Sequence, residues 1–175
     1  KAIVFCGEEF VADSAFQKLH DSFGDVIERH DDSSIPRFSE GNEDVRVLVV
    51  DERGEDGLNL HGGKKLIVHY SIPLSFIRIE QRNGRVNRYS AGIKANPVES
   101  AVLLPSSDSL YRNWIQVLED IGIFKDSVAS LQYILQDKID SAWVEVIEKG
   151  SEALDSLGEE LVGEDGLLAR ESQKV

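Results

Sequence analysis

Ala2-Ile3-Val4-Phe5-Cys6, which follows Lys1 at the head of the chain, is apolar at every position, and that run decides the fold. A strand with one wet face alternates apolar with polar residues. A continuous apolar run is covered on both faces, as in the centre of a parallel sheet flanked by helices. The residues beyond it repeat the theme. Val11, Ala15, Phe16 and Leu19 recur at helical spacing before Gly24, a helix stop. A short strand is expected at Val26 to Arg29, then a polar stretch around Pro36 holding loop and a short helix. Val45 to Val50 and Leu66 to Tyr70 read as further strands, the latter closed by Pro73, which cannot continue a ladder. Phe76 to Arg88 has helical spacing, and Glu99 to Leu104 returns to strand. Apolar runs alternating with amphipathic stretches predict an α/β fold with a parallel sheet over residues 1–105.

After Pro105 the pattern changes to helices alone. Leu110, Trp114, Val117, Leu118 and Ile121 form one stripe, ended by Gly122. Val128, Leu131, Ile134 and Leu135 predict a second helix, and Ala142, Val144, Val146 and Ile147 a third. The acidic end beyond Gly150 is expected to be weakly helical or frayed. Residues 106–175 therefore read as an acidic helical extension, since each helix has one apolar stripe to bury. Trp114 and Trp143 fall on such stripes and are expected in the core.

Composition narrows the class. At 41% hydrophobic and 29% charged residues the chain has the make-up of a soluble globular protein, and no run approaches the roughly 18 apolar residues of a membrane span. The lone Cys6, set in an apolar strand, reads as a core thiol in a reducing cytoplasm. The chain opens on Lys1 and a strand, so the expectation is a piece of a longer protein without a signal peptide. The net charge of -13 argues against nucleic acid until its distribution is considered. Residues 137–175 carry eleven acids and four bases, a net of -7, which leaves -6 for the rest. From Arg78 to Lys94 the balance reverses: Arg78, Arg82, Arg85, Arg88 and Lys94 face only Glu80. A basic segment in an acidic chain suggests a site for an anion.

Gln81-Arg82-Asn83-Gly84-Arg85-Val86-Asn87-Arg88 gives that site a shape. On a helix Gln81, Arg85 and Arg88 project from one face, and Gly84 lets another surface come close to Arg85. Long donors with planar guanidinium forks are receptive to phosphate oxygens. By spacing alone, a solvated basic face explains the pattern equally well.

The pattern Gln81-x-x-Gly84-Arg85-x-x-Arg88 resembles motif VI of superfamily 2 helicases. Upstream, Asp51 to Leu60, ending Gly57-Leu58-Asn59-Leu60, resembles motif V of Swi/Snf-type enzymes. Val68 to Pro73 resembles the strand and proline that precede motif VI, and Lys1 to Cys6 resembles motif IV. Gly122-Ile123-Phe124 is similar to a segment of the RapA-like bacterial branch. The likeness covers residues 1–105, with every element in the expected order.

The resemblance implies a RecA-like (phosphate-loop NTPase-like) sheet forming the C-terminal lobe of an ATP-dependent DNA helicase or translocase, with ATP and Mg2+ held between two lobes. Arg88 is then the arginine finger, Arg85 a second γ-phosphate contact, and Gln81 a group that orients its neighbours, with Gly84 beside them. Gly54, Gly57 and Asn59 belong to the motif V side of the site. The expected partners are the N-terminal lobe of the same polypeptide, which carries the Mg2+ ligands, and double-stranded DNA. A protein partner on the acidic extension and a bacterial cytoplasmic setting complete the expectation, with no membrane. The alternative is a non-catalytic, helicase-like interaction module. Family members often have Thr or Ser where this chain has Asp51, whose carboxylate accepts only and repels a phosphate. Either Asp51 faces away, paired with Arg53, or that DNA contact is lost.

Other chemistry finds little support. No G-x-x-x-x-G-K-[ST] occurs, and His61-Gly62-Gly63-Lys64-Lys65 lacks the hydroxyl and leads into a strand, so it reads as a turn. Without that loop and an acidic metal box, the isolated chain is expected to be inactive. Asp31-Asp32 reads as a solvated turn, and the four histidines show no ligand spacing. His69 reads as a core residue, and no serine sits in a G-x-S-x-G elbow.

Overall fold

The computed structural model describes residues 1–38, 43–58, 60, 65–86, 99–125, 128, 131–163 and 166–168. The elements are β1 (Ala2–Phe5), α1 (Glu9–Phe23), β2 (Ile27–Arg29), α2 (Ser34–Phe38), β3 (Val47–Val50), α3 (Glu52–Glu55) and β4 (Leu66–His69). They continue with α4 (Phe76–Val86), β5 (Glu99–Val102), α5 (Leu110–Asp120), α6 (Gln132–Lys149) and α7 (Glu152–Val162). The strands form one sheet in the order β2-β3-β1-β4-β5, with every pairing parallel. The α/β class expected from the sequence is the class observed, and β1 lies at the centre as its apolar run requires.

Alternation within β1 and β3 explains the double burial. Ile3 and Phe5, with Leu48 and Val50, meet Phe38, Leu58, Leu60, Ile67 and Val86 on one face. Val4, Cys6 and Val49 meet Ala12, Ala15 and Ile27 on the other, where the α1 side chains Val11, Phe16 and Leu19 complete the cluster. Each full side chain moved from water to such a core contributes about 1.5–3 kcal/mol, so both faces of β1 are firmly specified. His69 and Cys6 are both fully buried in this sheet. Burial, helped by the charge of Arg82, pushes His69 down to about 3, and burial pushes the Cys6 thiol up to about 11. His69 is a neutral core group whose ring stacks on Phe5, and Cys6 is an inert one.

The chain packs as two units: Lys1–Pro73 with Gln81–Leu103, and Leu74–Glu80 with Leu104–Val175. In the second, Trp114 is fully buried and meets Trp143 edge-on, with ring centroids 5.4 Å apart. Two expectations are corrected here. The second and third helices are one, α6, because its true stripe is Leu135, Ile139 and Ala142, unbroken at i, i+4 and i+7. Val144 and Ile147, assigned to the apolar face, are among its most exposed residues. As far as Val162 the acidic end is an ordered helix rather than a frayed one. Gly150, at φ 61, ends α6, and α7 then buries Ala153, Leu154, Leu157 and Leu161 while its acids face water.

Candidate functional site

Open α/β sheets gather ligands at the carboxyl ends of their strands, where the connections diverge. Here β1, β3 and β4 end side by side. Gly7, at φ 73, lets the chain turn between its neighbours, and its carbonyl accepts the Glu52 N–H at 2.7 Å. A Cβ on Gly7 would stand 2.6 Å from Ser71 Oγ, so any side chain there would displace that hydroxyl from the loop after β4. Sequence reasoning passed over Gly7, although a glycine directly after a buried strand is itself a turn signal.

The motif V-like segment begins with Asp51, which caps α3. Its Oδ1 accepts the Gly54 N–H at 2.9 Å, and its Oδ2 accepts from Arg29 Nη2 at 2.6 Å. Burial alone would raise the Asp51 carboxyl, but the Arg29 and Gly54 hydrogen bonds outweigh it and hold the group below its ordinary range. Arg29 also donates to Asp13 Oδ1 at 3.0 Å. Asp51 does face inward, but its partner is Arg29 at the end of β2, not Arg53, which pairs with Glu9 at 3.1 Å. Strand-end adjacency, invisible in local spacing, decides that pairing.

Gly54 has a packing reason to be glycine. A Cβ there would lie 2.5 Å from His30 Nδ1 and 3.0 Å from Val50 Cγ1. Burial of His30 in this corner pushes its pKa down, against the pull of Asp51 and Asp31. Gly57 is exposed and meets no such crowding. Asn59 lies outside the described residues.

The motif VI-like helix α4 divides its residues by face. Arg82 and Val86 are buried, whereas Gln81 and Gly84 are exposed and Arg85 is half-buried. Arg82 Nη2 donates to Glu55 Oε1 at 2.6 Å and Nη1 to the Ser71 carbonyl at 2.7 Å, with the guanidinium 5.0 Å over the Phe5 ring. Arg82 is therefore not one of the free cations that the basic segment suggested. Its charge is balanced inside by the last residue of α3. Arg85 Nη1 reaches the Leu58 carbonyl at 3.5 Å, and the Arg85 carbonyl accepts the Leu60 N–H at 3.1 Å. A Cβ on Gly84 would meet no described atom within 4 Å, so that side of the helix is open.

The structure thus brings Gln81, Gly84 and Arg85 onto one open face, with the Arg85 backbone bonded to Leu60 and its side chain reaching Leu58. Arg88, Lys94 and His61-Gly62-Gly63-Lys64 lie outside the described residues. Asp31 forms a turn, accepting from the Ser33 N–H and hydroxyl at 2.7 Å each. Among the described residues no three His, Cys, Asp or Glu side chains are grouped to hold a metal ion, and no helix is long and apolar enough to cross a membrane. Compared with protein-family models and with curated proteins, the chain finds no match in either.

Proposed function

We propose that this chain is the C-terminal lobe of an ATP-driven superfamily 2 DNA helicase or translocase of Swi/Snf type. One observation carries the reading. The Arg82–Glu55 pair and the Leu60–Arg85 backbone bond clamp α4 beside the α3 segment, while Gln81, Gly84 and Arg85 remain on the open side. Two segments that resemble motifs V and VI are adjacent, as a shared nucleotide site needs. The donor set also suits phosphate, because two carboxylates beside it, Glu55 and Asp51, are already satisfied by Arg82 and Arg29.

Arg85 and Arg88 would hold the terminal phosphate of ATP, with Gln81 orienting groups beside it and Gly84 allowing close approach. Bound ATP with Mg2+ supplies the phosphoryl group and its counter-charge, and the Mg2+ ligands come from the N-terminal lobe. An arginine at this position neutralises charge that develops on the phosphoryl oxygens, worth roughly 10³–10⁵ in rate. Gly54, Gly57 and Asn59 belong in sequence to the neighbouring motif V-like segment, which would face the expected track for double-stranded DNA. Asp51 has no part in that track, since its carboxylate is held by Arg29 and the Gly54 N–H. The reduced, buried Cys6 suits a cytoplasmic setting.

The test uses the natural polypeptide that joins this chain to a phosphate-loop lobe. Arg88→Ala should lower DNA-stimulated ATP turnover by about 10³-fold or more with ATP affinity little changed. Turnover at the unsubstituted rate would remove the arginine-finger role and leave the lobe as an interaction module.

A further inference from the structure

Glu80 is the one acid between Arg78 and Lys94, and a carboxylate has no place among phosphate donors. Its Oε1 instead accepts the Val128 N–H at 2.7 Å. The Val128 carbonyl in turn accepts the Leu131 N–H at 2.9 Å, directly before α6. Glu80 is also the residue at which α4 divides. Leu74–Glu80 pack with the helical unit, and Gln81–Leu103 with the sheet unit. The buried stripe of α4 divides at the same point: Phe76 and Ile79 precede it, Arg82 and Val86 follow it, and none is more than 4% exposed. Val86 enters the core beneath the sheet, and Arg82 is held by Glu55 and the Ser71 carbonyl.

Helix geometry carries that division into the backbone. Each N–H bonds to the carbonyl four residues earlier, so the amides of Gln81, Arg82, Asn83 and Gly84 depend on the carbonyls of Ile77, Arg78, Ile79 and Glu80. The turn that presents Gln81 and Gly84 therefore hangs on residues that the helical unit holds. Eleven residues with a glycine near the end make a helix that is marginal in water without packing. Loss of packing on one half thus costs order in the other. We propose that α4 is a coupling helix and Glu80 its positioning residue, so that order in the C-terminal helical unit sets the order of the Gln81, Gly84 and Arg85 face. Donors already ordered bind an anion without first giving up their freedom, so whatever tightens or loosens the helical unit adjusts how receptive that face is. That the anion is a nucleotide phosphate rests on the function proposed for the lobe; the coupling stands without it.

Native-state amide exchange on the 175-residue chain, without nucleotide, reads the coupling directly. Glu80→Ala should raise exchange at Val128 and at Gln81 to Gly84 about tenfold or more, while the amides of β1 and β3 keep the parent's rates. Alanine is the better helix former, so intrinsic propensity cannot cause that rise. Glu80→Gln, whose side-chain oxygen still accepts the Val128 N–H, should stay within about threefold of the parent. Leu157→Ala acts from α7, where the side chain is buried, and should raise exchange at Gln81 to Gly84 about tenfold along with that of α7 itself. Faster exchange in α7 with Gln81 to Gly84 at the parent's rate would overturn the coupling. So would an equal rise in β1 and β3, which assigns the effect to loss of the whole fold. Glu80→Ala and Glu80→Gln behaving alike would remove the positioning role of Glu80. Since no nucleotide is present, an Arg88→Ala enzyme that turns over normally leaves each of these outcomes with the same meaning.

Discussion

The sheet unit and the helical unit place charge differently. Beside surface pairs such as Arg53 with Glu9, the sheet unit has two that join elements far apart in sequence and sit inside: Arg82 with Glu55, 27 residues away, at 2% and 8% side-chain exposure, and Arg29 with Asp51, 22 residues away. In the helical unit the pairs are surface features, such as Lys149 with Glu145 within α6 and Lys138 with Glu160 between α6 and α7. The difference teaches where charge determines structure. A buried pair has given up its hydration and must be complete, whereas an exposed pair exchanges freely with water. The sheet unit should therefore depend on its charges and the helical unit on its apolar stripes.

The largest effect is expected at the deepest pair. Arg82→Ala leaves Glu55 buried without its partner and removes a donor from the Ser71 carbonyl. Unfolding in urea, followed by circular dichroism, should show a loss of about 3–5 kcal/mol. The double substitution Glu55→Leu/Arg82→Met removes both charges and should recover most of that loss. If the single substitution costs no more than a surface change, the contrast between the units collapses.

His69 supplies the next effect, through pH. Its folded pKa of about 3 lies far below its ordinary 6.5, so the unfolded chain binds the proton more readily. Stability is full above pH 6.5 and falls as pH drops toward the folded pKa, by about 1.4 kcal/mol per unit at most. Between pH 6.5 and 4 the loss should reach about 3 kcal/mol, and His69→Phe should flatten that limb. A variant with the parent's slope would assign the acid sensitivity elsewhere.

Asp51→Ala comes third. It removes the cap of α3 and the Arg29 partner together, for a loss of about 2 kcal/mol. Its pH window is separate. The carboxyl is held below its ordinary 3.8, so its contribution is complete above that value and disappears only as pH falls further. Asp51→Ala measured at pH 6 and pH 4 separates the two groups, because across that window the His69 contribution changes and the Asp51 contribution does not.

These contrasts also explain what could be read from the sequence. The strands announced themselves because burial on both faces writes an unbroken apolar run, as in Ala2 to Cys6 and Val47 to Val50. The open face of Gln81, Gly84 and Arg85 was legible because helical spacing is local. The inward role of Arg82 was not, since its partners Glu55 and Ser71 come from other loops of the sheet. Arg53 was one of two readings offered for Asp51, and Arg29 was missed for the same reason: a neighbour in sequence is easier to see than the end of an adjacent strand. In the extension, acids dominate the composition and masked the Ala153, Leu154, Leu157 and Leu161 stripe, although its spacing was there to be read.

The smallest effect is expected at Lys149 and Glu145, and it is the sharpest check on the contrast because everything local favours the pair. The acid precedes the base by four residues, the better order on a helix, and Lys149 lies in the last turn, where a cation suits the macrodipole. The Nζ to Oε2 distance is 2.7 Å, and Glu145 raises the Lys149 pKa. Both side chains are nevertheless at least half exposed, so water and salt screen the attraction and holding two long side chains together costs entropy. Lys149→Gln should leave the urea midpoint unmoved at low salt and in 1 M salt alike. A shift matching that of Asp51→Ala would mean that the helical unit relies on surface charge as the sheet unit relies on buried charge, and the distinction between them would be one of position only.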